Sequence, residues 1–220
     1  MLARAGYPVI KLYVPDAYSV AAEFYRWEVA VSVACHILGL NAFDQPDVQE
    51  SKDRTRAKIE DFRSNGRLDE GAWDISIQHG RLPSTASATL DFFLSQGRPG
   101  DYVAINAYVP RRQGEIDELQ RIRARIREKT HLAVTAGFGP RFQHSTGQYH
   151  KGGPNTGLFI QIVTDAPKDL MIPAQGMSFG TLMRAQALGD YETLVGRGRR
   201  VLRVRLSRPE DLVVLKEALK

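Results

Sequence analysis

The segment Tyr102-Val-Ala-Ile-Asn-Ala-Tyr-Val109 opens a strand–helix–strand pattern that decides the fold class. Its side chains alternate as in a β-strand, and Gly97-Arg-Pro-Gly100 before it is typical of a turn. Residues Glu115–Lys129 form a charged helical pattern, and Leu132–Ala136 is the next apolar run of strand length. A strand that is followed by a helix and a second strand indicates parallel pairing in an α/β fold.

The same alternation extends over the rest of the chain and predicts an α/β layered fold, with a mostly parallel sheet between helices. Residues 66–100 contain little periodicity apart from one short helix, and we interpret them as a linker between the helices of residues 1–65 and an α/β subdomain of residues 101–220. The remaining predicted strands are Pro8–Val14, Leu158–Val163 and Val201–Leu206, and the remaining helices are Tyr18–Leu38, Pro46–Ser64, Thr89–Ser95, Ser178–Gly189 with an extension over Tyr191–Val195, and Arg208–Lys220.

Composition excludes several classes of protein. The chain has 220 residues, 43% hydrophobic and 25% charged, which suits one soluble domain. Its apolar runs are shorter than the roughly 18 residues of a membrane span. The single cysteine, Cys35, excludes an internal disulfide framework and fits the cytoplasm. The net charge of +5 favours an anionic small molecule over nucleic acid, because the basic residues are dispersed and no aromatic RNA-binding motif is present.

Lys52 stands out on the second helix. If this helix starts at Pro46, residues 48, 52, 55, 59 and 62 share one face, and Val48, Ile59 and Phe62 make that face apolar. We therefore expect Lys52 on the side that faces the core. A lysine there either snorkels at the edge of the core or holds its ammonium at the mouth of a pocket, where it can donate a proton or bind an anion.

The densest cluster of polar functional groups lies in a glycine-rich segment that follows a predicted strand. Glycines let backbone N–H groups approach an anion, while hydroxyls and lysine add donors, so a phosphate or a sugar hydroxyl is the expected ligand. The alternative is a structured exposed loop whose histidines bind local backbone groups. A metal site is not expected, because the two histidines are six residues apart without a nearby cysteine. Either histidine could shuttle protons, and we favour His150 because glycines follow it closely. The candidate residues of this segment are His144, Ser145, Thr146, His150 and Lys151.

Two arginines of the last predicted strand, Arg203 and Arg205, alternate with Leu202, Val204 and Leu206. This alternation predicts a strand with one solvent-facing side, or one that contacts another part of a larger protein.

The segment Phe43-Asp-Gln-Pro-Asp-Val-Gln-Glu-Ser-Lys52 resembles the lysine-bearing segment of glucose-6-phosphate isomerases, Phe-Asp-Gln-x-Gly-Val-Glu-x-x-Lys. It departs from that pattern at Asp47 and Gln49. The segments Gly139–Asn155 and Ser178–Ala187 resemble the branch in which the isomerase is the C-terminal half of a fused transaldolase/glucose-6-phosphate isomerase. Together with the helix before Leu40-Asn41, these segments extend the resemblance over nearly the whole chain.

The resemblance implies a single three-layer domain of the sugar-isomerase (SIS) type over residues 1–220. It places assistance of ring opening on Lys52 and substrate binding on Gln45. The glutamate that transfers the proton through a cis-enediol lies, in the family, in a Glu-Ser-x-Gly-Lys sequence that this chain does not contain. The chain is therefore expected to be the terminal portion of a cytoplasmic aldose–ketose isomerase, and inactive alone. The expected partners are a sugar phosphate, the upstream isomerase or transaldolase portion, and further copies in a homo-oligomer; no cofactor, metal, nucleic acid or membrane is expected.

A second hypothesis keeps the fold without the activity. In it, the chain is a phosphosugar-binding or assembly module, and the departures at Asp47 and Gln49 support this alternative.

Overall fold

The protein divides into two units, residues 1–44 and 45–220. The structure, a computed structural model, describes residues 3–6, 8–165 and 168–219. In the first unit, helix α1 covers Ser19–Leu38 and ends at Gly39, whose φ of 69° lies in the left-handed region that favours glycine. The strand predicted at Pro8–Val14 is not formed, since these residues pair with no strand in the described part of the chain.

The second unit contains a five-stranded sheet in which every pair of neighbouring strands is parallel. This confirms the predicted α/β class, because each parallel neighbour needs a crossover connection. The order across the sheet is β1-β5-β4-β2-β3. The strands are β1 Ile75–Ile77, β2 Tyr102–Tyr108, β3 Ala133–Phe138, β4 Gly157–Thr164 and β5 Arg200–Leu206.

Helices cover both faces of the sheet and give three layers. Their bounds are α2 Pro46–Asn65, α3 Ala86–Leu94, α4 Gln113–Thr130, α5 Gly147–Gly152, α6 Phe179–Gly196 and α7 Leu212–Glu217. Helices α3, α4 and α7 lie on one face, where their apolar residues join those of the strands in the main core. Helices α5 and α6 lie on the other face, and α2 packs against both of them.

The two faces of the sheet differ in chemistry. The face under α4 is apolar, with Ile105, Ile160 and Val204 among its buried residues. The opposite face carries polar side chains at its centre, where Asn106 pairs in register with Gln161, and Gln161 with Arg203. Both faces are buried, which explains why β2 and β4 are nearly continuous apolar runs.

The structure corrects the predicted linker. Within residues 66–100, β1 extends the sheet beside β5, and α3 places Leu90 and Phe93 in the main core. Strand β1 has only three residues, too few for a periodic signal. The predicted terminal helix is also divided, into a 3-10 helix, Pro209–Asp211, and α7.

Candidate functional site

Helix α2 begins at Pro46 as predicted, but Lys52 lies on its exposed side. The buried positions of the first turns are Asp47, Val48 and Ser51. The centre of the buried face thus passes through Ser51, and Lys52, one residue further around the helix, falls outside its edge. The expectation of an inward-facing Lys52 is wrong for this reason.

Gln45 stands immediately before α2. Its carbonyl oxygen accepts hydrogen bonds from the N–H groups of Val48 and Gln49, both at 3.1 Å. Its side chain makes no capping hydrogen bond, and the residue is exposed. Gln45 and Lys52 are therefore both open to a ligand or to another part of a protein.

The first turn of α2 is held by one side chain from α5 and by one from the residue that follows α6. Asp47 forms an ion pair with Arg197 at 2.6 Å, and its N–H donates to Oε1 of Gln148 at 3.1 Å. Arg197 also binds Glu50 at 2.8 Å, and this hydrogen-bonded contact lowers the pKa of the Glu50 carboxyl. Asp47, which replaces the glycine of the isomerase pattern, is thus a structural contact that holds the lysine-bearing helix.

The glycine-rich segment is largely helical rather than an open loop. It contains a 3-10 helix, Arg141–His144, and then α5. The hydroxyls of Ser145 and Thr146 donate to the carbonyl oxygen of Phe142 at 3.1 and 3.4 Å. The N–H of His150 donates to Thr146, as expected for a helix. These groups are therefore used within the segment, and the phosphate cradle expected from its glycines stays a prediction.

The two histidines of this segment have different surroundings. His144 is exposed, whereas His150 is buried between aromatic rings, with centroids of Phe159 and Phe142 at 5.1 and 5.9 Å. Burial, and secondarily the charge of Lys151, lower the pKa of His150 to about 4. A histidine that stays neutral down to this pH is a poor proton shuttle near neutrality, so these surroundings do not favour the catalytic role of His150, which stays a prediction.

Lys151 is also buried, contrary to its expected role as a ligand-binding residue. Its ammonium lies 2.6 Å from Oδ1 of Asp190 on α6, and both side chains are fully buried. Burial raises the pKa of Asp190, and the charge of Lys151 opposes this rise. The phenol of Tyr108 accepts from Gln143 at 3.0 Å, and burial raises its pKa well above the usual value. The buried ion pair of Lys151 and Asp190 is therefore a structural contact within the core.

Arg203, predicted on a solvent-facing side, is buried instead. Its guanidinium stacks between Trp73 at 3.9 Å and Tyr191 at 4.3 Å, and it donates to backbone carbonyls of Glu70 and Ala72. Burial lowers its pKa. The burial of Arg203 is thus explained by stacking, which sequence spacing alone does not distinguish from exposure to solvent, whereas Arg205 is half-buried and forms an ion pair with Asp165 at 3.0 Å.

A cleft of about 670 Å³ lies at the carboxyl ends of β2 and β4. Its polar lining includes Arg112, which follows β2, and Lys168, which follows β4. Neither residue was a candidate from the sequence, although a cation shortly after a predicted strand is the signal that could have identified each of them. Gln45, Lys52 and the histidine segment do not line this cleft.

Neither a metal site nor a membrane span is found in the described part of the chain. Its residues contain no group of three or more histidine, cysteine or acidic side chains that could hold a metal ion. None of the described helices is long and apolar enough to cross a membrane.

Comparison with known proteins identifies no family for this chain. No family model matches the chain, and no curated protein matches its sequence. Among solved structures, a hypothetical protein from Thermus thermophilus is similar, with 18% identity and a TM-score of 0.48. The match covers 60% of this chain and 38% of that protein, so the chain corresponds to less than half of that protein's length.

Proposed function

We propose that this chain is the C-terminal portion of a glucose-6-phosphate isomerase, in which Lys52 assists opening of the sugar ring and Gln45 binds the substrate. The observation that carries the proposal is the state of Lys52. Its side chain is exposed and forms no ion pair or hydrogen bond with the described residues. The helix that bears it is held by the contacts of Asp47 with Gln148 and Arg197. A free ammonium on a fixed helix suits a substrate that is bound mainly elsewhere.

In this proposal, the chain contributes to one step of the reaction, the opening of the sugar ring. Ring opening breaks the bond between the anomeric carbon and the ring oxygen. The Lys52 ammonium is a suitable proton donor to that oxygen, and the neutral amine that results can take up the proton which the anomeric hydroxyl loses as the carbonyl forms. The isomerisation then needs a base that transfers a proton between two neighbouring carbons. The resemblance places that glutamate in the upstream portion, which in this proposal also supplies the phosphate-binding loop.

The proposed site is smaller than the sequence indicates. His150 and Lys151 are buried, and the hydroxyls of Ser145 and Thr146 serve the local helix. Among the candidates of that segment, His144 alone combines exposure with a free side chain in the described structure, and it stays a candidate for substrate contact.

The test is the isomerase activity of the complete protein, with upstream and C-terminal portions together. Lys52→Ala should lower kcat/KM for glucose 6-phosphate by about 100-fold or more, because general acid catalysis contributes about 10²–10⁴. Arg56→Ala is the matched control, since Arg56 is an exposed cation one turn further along α2. It should change kcat/KM less than about twofold.

Two results would contradict the proposal. One is normal turnover of fructose 6-phosphate by the 220-residue chain alone, and the other is a Lys52→Ala enzyme as active as the Arg56→Ala enzyme. If the chain binds 6-phosphogluconate but the complete protein has no isomerase activity, the hypothesis of a phosphosugar-binding module is preferred to that of an isomerase.

A further inference from the structure

The cleft at the carboxyl ends of β2 and β4 lies where the direction of the chain reverses across the sheet. From β2 the chain passes through α4 to β3 on one side, and from β4 it passes through α6 to β5 on the other. The two helices lie on opposite faces, so their connections separate and leave a crevice. Open α/β sheets bind ligands at such a switch point.

Two cations line this crevice, one after each strand. Arg112 and Lys168 are exposed, and neither side chain forms an ion pair or hydrogen bond with the described residues. The nearby Asp169 forms no ion pair with either cation in the described structure, and its carboxylate accepts from the N–H of Gly180 at 2.8 Å and from the hydroxyl of Ser178. Although burial opposes the effect, these hydrogen bonds lower the pKa of Asp169. One further carboxylate, that of Glu210, also lines the cleft.

The remaining wall is mostly apolar. Val109 and Met183 form part of it, and Leu170 and Phe179 expose 71% and 56% of their surface beside it. A volume of about 670 Å³ is within the range of small-molecule sites. Free cations beside an exposed aromatic ring match a ligand that has one anionic group and one apolar face.

We propose that this cleft binds a phosphate monoester whose remaining part has an apolar or aromatic face. The phosphate lies between Arg112 and Lys168, the flat part packs on Phe179, and Glu210 accepts a hydrogen bond from a ligand hydroxyl. This site does not depend on the isomerase proposal, because Gln45 and Lys52 do not line the cleft.

Titration calorimetry on the 220-residue chain tests the proposal, with inorganic phosphate, ribose 5-phosphate and AMP as probes. AMP should bind most tightly, since it alone offers both phosphate and an aromatic ring. Arg112→Gln/Lys168→Gln should weaken AMP binding by about tenfold or more, because two charge-assisted contacts are lost. Phe179→Ala should weaken AMP about fivefold and leave inorganic phosphate unchanged.

Arg111→Gln is the matched control. Arg111 is an exposed neighbour whose guanidinium lies 5.9 Å from the ring centre of Phe138, and it does not line the cleft. The Arg111→Gln variant should bind AMP with an affinity within about twofold of that of the native chain. Equal AMP affinity of the double variant and the Arg111→Gln control would overturn the proposal, and so would the absence of binding by all three probes at millimolar concentration. Urea unfolding of each variant establishes that the protein is folded.

Discussion

At the scale of single residues, burial decides the chemistry of His150. Its imidazole has a pKa of about 4, against an ordinary value of 6.5, because it lies among aromatic rings and beside Lys151. Between these two pH values the unfolded chain binds a proton that the folded chain does not. The contribution of neutral His150 to stability is therefore complete above pH 6.5 and is lost as the pH falls towards 4.

His150→Phe should remove this dependence, because phenylalanine fills the aromatic site and does not titrate. At about 1.36 kcal/mol per pKa unit, the native chain should lose about 3 kcal/mol more free energy of unfolding than the variant between pH 7 and pH 4. Urea unfolding at both pH values measures the difference. The contribution of Asp190 is common to both proteins, and His144→Gln, which alters an exposed histidine, should behave as the native chain does. Equal pH dependence of the variant and the native chain would contradict the assignment.

The sequence predicts the start of α2 but not the burial of Lys151. The start of α2 at Pro46 was predicted correctly, because the preference of proline for a first helical position depends only on its own backbone, which lacks an N–H. The burial of Lys151 was not predicted, because its partner Asp190 is distant in the sequence and comes near only through the packing of α6. Polar residues in a glycine-rich segment fit a ligand site and a buried structural network equally well, and tertiary contacts decide between them.

At the scale of elements, the crossing of α2 and α6 depends on one glycine. A Cβ atom on Gly189 would lie 2.5 Å from Oγ1 of Thr55 and 2.9 Å from the carbonyl oxygen of Ser51. The second of these is backbone, which cannot move without moving α2. The two helices thus approach closely because position 189 has no side chain.

Gly189→Ala should destabilise the protein by about 1–3 kcal/mol, since overpacking outweighs the gain of about 1 kcal/mol in helix propensity. Gly114→Ala is the matched control, because Gly114 lies in α4 and its added Cβ would meet no atom within 4 Å from the rest of the described structure, apart from its chain neighbours and the nearby backbone of its own helix. It should leave stability unchanged or raise it by up to about 1 kcal/mol. Thermal or urea unfolding of both variants gives the comparison. A stabilised Gly189→Ala protein would mean that the helices are further apart than described.

Elements with strong periodicity were predicted well and short ones were not. Helix α4 and strand β4 differ from their predicted bounds by only a few residues, because each repeats its pattern several times. Strand β1 has three residues and was missed. The segment Pro8–Val14 has the composition of a strand, yet it forms none, because a strand also needs a neighbour with which to pair.

At the scale of the whole molecule, the composition of α1 bears on the proposal of an incomplete enzyme. The helix has no buried residue, although apolar side chains such as Phe24, Val29 and Ile37 occur on different sides of it. Phe24, Trp27, Val31 and Phe43 line a groove of about 620 Å³ within the first unit. A helix that is apolar on several sides is normally covered in the assembled protein.

If the upstream isomerase portion covers this groove, the fluorescence of Trp27 should change when that portion binds. Trp27 exposes 53% of its surface, so its fluorescence should shift to shorter wavelength when the two portions are mixed, and Trp27→Phe should remove the shift. Val31→Asp should weaken the association at least about tenfold, because burial of an unpaired carboxylate costs more than the roughly 1.4 kcal/mol to which that factor corresponds. Val213→Asp is the matched control, since Val213 is an exposed valine on α7 in the second unit. If both aspartate variants associate with native affinity, α1 is not the interface, and the proposed enzyme must be joined through another surface.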